Sequence, residues 1–91
     1  MKCFLLTWLD LSRRQAILDF LDTMRSEVVN WRAHVGAIFM VSETDTLALS
    51  TKIHTEFPDL VFIITPITIE GVEGYIDQET WDFIRNPKPV S

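Results

Sequence analysis

The sequence is poor in the residues that carry redox, metal and phosphate chemistry. Its 91 residues include one cysteine, Cys3, and two histidines, His34 and His54. A lone thiol closes no internal disulfide, which fits a reducing compartment, and Cys3 sits in an apolar run where a small hydrophobe is expected. Neither histidine has a partner at metal-ligand spacing. The three glycines, Gly36, Gly71 and Gly74, are too scattered for a phosphate-cradling loop. Ser12, Ser50 and Thr51 lack the context of a nucleophile elbow. Positive charge is also scarce: 8 basic residues against 13 acidic give a net charge of −5. That speaks against a protein that coats nucleic acid, because phosphate neutralisation supplies most non-specific affinity, and leaves room for a local basic patch. The opening apolar run is interrupted at Thr7 and stops at Asp10. It is too short to span a membrane and has no signal-peptide cleavage site, so a cytoplasmic protein is expected.

Apolar residues are plentiful, at 47%. A chain of this length forms one domain, here residues 1–86 with a frayed tail at 87–91. It buries only about 60–65% of its unfolded surface, so a second copy would add stability by covering apolar area.

Periodicity sets the elements. Residues 2–8 form a near-continuous apolar run, the pattern of a central strand. Ser12 to Gln15 has the spacing of a capping box. Behind it Ile17, Leu18, Leu21, Met24 and Val28 recur at three- and four-residue steps, predicting a helix over 12–26. Residues 28–35 and 37–41 read as a hairpin turning at Val35-Gly36, with Gly36 suited to positive φ. Ser42 to Asp45 is rich in capping types. A second helix is expected to follow to Phe57, burying Leu47, Ile53 and Phe57, with Ala48 and Leu49 alongside. Pro58-Asp59 stops it, and residues 60–65 form the fourth strand before Pro66. Beyond the connection at residues 70–74, Tyr75-Ile76 suggests a short extra edge strand, and Asp77 a cap for a short helix carrying Trp81, Phe83 and Ile84.

The expected fold is therefore α+β, a ferredoxin-like β-α-β-β-α-β two-layer sandwich with a C-terminal extra strand and short helix. Both helices lie on one face of the sheet. The other face is too apolar for water and is covered either by the Trp81 segment or by a second chain; a homodimer is the expectation.

Candidate chemistry concentrates after the first strand. Asp10 at a strand end can bind a metal ion, with magnesium the natural choice for carboxylate and water ligands, and Arg13 and Arg14 can hold phosphate. His34, with Arg32 on the same strand face, can act as a general base. A simpler account gives Asp10 to a helix start and the arginines to solvent.

An aromatic strand end, then Asp10, Ser12 and the pair Arg13-Arg14, resembles the opening of the small CRISPR-associated adaptation nucleases. That resemblance implies a ferredoxin-like homodimer with Asp10 as the metal-binding residue. Trp31, Gly36, Ser42 to Asp45, and Gly74-Tyr75 with Trp81 are similar to the SinR family and to the endoribonuclease antitoxins. The preferred function is a self-associating protein-interaction module with no cofactor. The alternative is a metal-dependent endoribonuclease, with magnesium as cofactor and RNA as partner.

Overall fold

The structure is a computed structural model describing residues 1–90. It is α+β: a four-stranded antiparallel sheet with three helices. Its elements are β1 (Lys2–Trp8), α1 (Arg14–Thr23), β2 (Val28–Ala33), β3 (Ala37–Ser42), α2 (Thr46–Glu56), β4 (Phe62–Ile67) and α3 (Gln78–Arg85). The sheet order is β2-β3-β1-β4. The apolar β1 is thus central, paired with β3 from Lys2↔Ser42 to Thr7↔Ala37 and with β4 from Cys3↔Ile67 to Trp8↔Phe62. No helix among the described residues is long and apolar enough to cross a membrane.

Strand alternation divides the core in two. Phe4, Leu6 and Trp8 of β1 join Ile38 and Met40 of β3 beneath α1 and α2, where Ile17, Leu21, Leu49 and Ile53 close the main core. Cys3, Leu5 and Phe39 point to the opposite, outer face. There α3 lays Ile84, with Trp81 and Phe83, over Cys3 and Phe39. The C-terminal segment is therefore what covers this part of the outer face. The tail beyond α3 reaches the β2 edge: Asn30 Nδ2 donates to the Lys88 carbonyl (3.2 Å) and the Val90 N–H to the Val29 carbonyl (3.3 Å). Ser91, the last residue of the expected tail, lies outside the described residues.

Several local expectations are corrected. Ser12 does not open a capping box. Asp10 caps a single 3₁₀ turn at Leu11–Arg13 and takes both the amide and the hydroxyl of Ser12, so α1 starts two residues later, at Arg14. Gln15 bonds forward to Asp19 instead (2.9 Å). Gly36 needs no positive φ, because the His34 N–H closes the hairpin onto the Ala37 carbonyl (2.7 Å); β2 accordingly ends at Ala33. Leu47 is 76% exposed, because the stripe of α2 that meets the sheet is Leu49, Ile53 and Phe57 at four-residue steps. Asp45 does cap α2, accepting from the Ala48 N–H at 2.8 Å. The fourth strand starts later than expected and runs through Pro66, which an edge strand tolerates because one side of its ladder is unpaired. Tyr75 and Ile76 form no strand; that stretch crosses the outer face from β4 to the start of α3 without ladder partners.

Candidate functional site

Of the residues proposed from sequence, Arg14 meets His34 through the histidine's backbone carbonyl, while the Asp10 and Arg13 side chains bond to other partners. Asp10 Oδ1 accepts from the Ser12 N–H (3.0 Å) and the Ser12 hydroxyl (2.6 Å), a cap contained within its own turn. Arg13 makes a two-pronged contact with Asp59 (3.2 and 3.3 Å) and lies over the Phe57 ring, tying the end of α2 to the start of α1. Arg13 also holds the Asp59 carboxyl below its ordinary value. Arg14 Nε donates to the His34 carbonyl (3.0 Å), bracing the β2–β3 hairpin against α1. Three neighbouring residues thus serve three different junctions. Among the described residues, no three His, Cys, Asp or Glu side chains are grouped as a metal would require.

His34 belongs to a different constellation, on the outer face. Alternation along the strand puts Arg32 and His34 on one side, facing the first turn of α3. Asp77 caps that helix, accepting from the Thr80 N–H at 3.0 Å, and the Thr80 hydroxyl donates to the same carboxylate (2.8 and 2.9 Å). Arg32 Nε donates to Thr80 Oγ1 (2.7 Å), while Nη2 reaches Asp77 (2.9 Å) and Glu79 (3.1 Å). His34 Nε2 lies 3.1 Å from Thr80 Oγ1 and 3.9 Å from Asp77 Oδ1, its ring edge-on to Phe39. With its proton given to Asp77, the Thr80 oxygen accepts from both Arg32 and His34. Its hydrogen bonds, above all from the Thr80 hydroxyl and then with help from Arg32, hold the Asp77 carboxyl below the usual aspartate range.

A threonine, a histidine and an aspartate so arranged resemble a nucleophile set, but the Thr80 side chain is fully buried. What the cluster does is clamp. It neutralises the polar start of α3 against an apolar sheet and so positions Trp81 and Ile84 on Phe39 and Cys3. Sequence reasoning noted Arg32 beside His34 and Asp77 as a cap, but it missed Thr80. The available signal was Asp77-x-x-Thr80, a cap whose third residue can bond back to it.

The docking of α3 leaves two apolar features on the outer face. Between the sheet and residues 68–76 lies a cleft of 440 Å³ lined by Leu5, Phe39, Ile67, Val72, Trp81 and Ile84, with Glu73 and Tyr75 also on its wall. Past the end of β1, Leu9, Val61 and Ile63 surround a shallow hollow and are 79%, 63% and 68% exposed. The Leu9 N–H donates to the Val61 carbonyl (3.2 Å), which fixes them as neighbours. Cys3, under α3, is buried, and burial pushes its thiol up to about 11.

Comparison with known proteins finds no matching family, no matching curated protein and no matching solved structure.

Proposed function

We propose that the chain is a small ferredoxin-like interaction module that self-associates through the open end of its outer sheet face. The element order and the β2-β3-β1-β4 sheet support the ferredoxin-like assignment. The observation that carries the function is the exposed trio Leu9, Val61 and Ile63 beside the unpaired edge of β4.

Monomeric proteins blunt such edges with charge, proline, bulges or cover. The β4 segment Phe-Ile-Ile-Thr-Pro-Ile has no charged residue, and only Pro66 interrupts its donors. Leu11 and Val35 are further exposed apolar side chains. A stable interface needs about 800 Å² on each partner. A few side chains do not supply that alone, so the pairing draws in the β4 backbone. Antiparallel contact of β4 with its copy about a two-fold axis satisfies the free ladder groups and buries the same residues from both chains. A metal-dependent nuclease would draw on Asp10, whose carboxylate is committed to Ser12, so the interaction module is preferred.

Sedimentation velocity tests the proposal. The wild type is expected to sediment as a dimer at high micromolar concentration, and Ile63→Lys as a folded monomer. A strictly monomeric wild type overturns it, as does an Ile63→Lys variant that dimerises equally well.

A further inference from the structure

We propose that the cleft between the outer sheet face and residues 68–76 binds a small organic amine, its apolar body against Phe39, Ile67 and Trp81 and its ammonium group against Glu73. The cleft shares none of Leu9, Val61 or Ile63 with the proposed self-association surface, and borders it at Thr65, Pro66 and Ile67 of β4.

Three observations converge. The volume of 440 Å³ falls in the range of small-molecule sites, roughly 300–1,000 Å³, and the lining has their character: mostly apolar, with few polar groups. No lysine, arginine or histidine lines it, and Glu73 is its one ionisable carboxylate. Glu73 makes no ion pair among the described residues, whereas the Asp77 and Glu79 carboxylates nearby are both engaged by Arg32. The free charge at the cleft is therefore negative, and its complement is a cation. Third, Tyr75 stands on the wall with its side chain fully exposed, an aromatic with no packing partner of its own. Tyr75 and Trp81 both line the cleft, and aromatic ring faces attract an ammonium group.

A carboxylate ligand would meet Glu73 with like charge, and an alcohol would leave Glu73 unpaired. The proposal therefore predicts an order among molecules of the same skeleton. The experiment titrates 2-phenylethylamine, 2-phenylethanol and 3-phenylpropionate into the full chain, following amide and indole resonances by NMR. The amine is expected to shift the Trp81 indole and the Gly71 and Gly74 amides, and to bind about tenfold more tightly than the alcohol, with the carboxylate weaker still. Glu73→Gln is expected to lessen that preference while leaving alcohol binding unchanged; this exposed position carries no fold-determining contact. Val72→Trp, which fills the cleft, is expected to remove binding of all three, with the unperturbed resonances of the main core reporting an intact fold. Equal binding of amine and alcohol, an undiminished preference in Glu73→Gln, or shifts confined to residues outside the cleft overturns the proposal.

Discussion

At the level of single residues, hydrogen-bonding capacity decides what each polar side chain does. Thr80 shows this most clearly. One buried hydroxyl serves the Asp77 carboxylate, Arg32 and His34 at once. Thr80→Val keeps the shape and removes all three, and is expected to cost about 1–3 kcal/mol, read from the urea midpoint. It should also alter the acid response. Asp77 is held below its ordinary value of 3.8 in the folded chain, first by Thr80. A depressed folded value means stability that is present above the unfolded pKa and lost as pH falls through the lower folded one. The melting temperature of the wild type should therefore fall below about pH 4, and that of Thr80→Val should fall less steeply. Equal slopes would remove Thr80 as the cause. The same capacity explains Asp10. Standing two residues before Ser12, it takes the serine amide and hydroxyl that a capping box would have used, a preference that the type and spacing of residues 12–15 do not reveal.

Helices and strands were legible in proportion to how fully one face is buried. The apolar run of β1 and the stripe of α1 marked the right segments because both sink into the main core. In α2 the stripe was misjudged. Leu47 and Leu49 are both leucines, and only the docking direction of the helix separates the exposed one from the buried one. Leu47→Lys is accordingly expected to change stability by no more than about 0.5 kcal/mol, whereas Ile53→Ala should cost about 2–5 kcal/mol. Chemical denaturation of the two variants distinguishes them, and a large loss for Leu47→Lys would refute the assigned face. Residues 75–76 were misread for a related reason. Their β-favouring side chains are genuine, but a strand exists only where a neighbour offers its ladder, and the chain passes over the sheet there rather than beside it.

For the whole molecule, the outer face is the organising problem. Two-layer folds leave one side of the sheet to be covered, and here a short helix, clamped by Arg32 and His34, covers the part over Cys3 and Phe39. Burial under that helix is what makes Cys3 inert, with its thiol near 11. In the native protein at pH 8, reaction with a disulfide reagent should be slow and limited by opening of the fold. Ile84→Glu places an unpaired charge against Cys3 and should free the helix, raising the labelling rate at least tenfold while circular dichroism retains the sheet. Labelling as slow as in the wild type would mean that α3 is not the cover.

Chain order, the central strand, the two main helices and the presence of a C-terminal segment suited to the outer face were determined by the sequence alone, through hydrophobic period and turn chemistry acting over short range. The grouping of Arg32, His34, Asp77 and Thr80 was decided only in three dimensions, because its members come from segments more than forty residues apart and each has an innocuous local role. The engagement of Asp10 by Ser12 and of His34 by Thr80 was decided there too. So was the shape of the uncovered surface, since the area α3 leaves open depends on where its clamp seats it on the sheet.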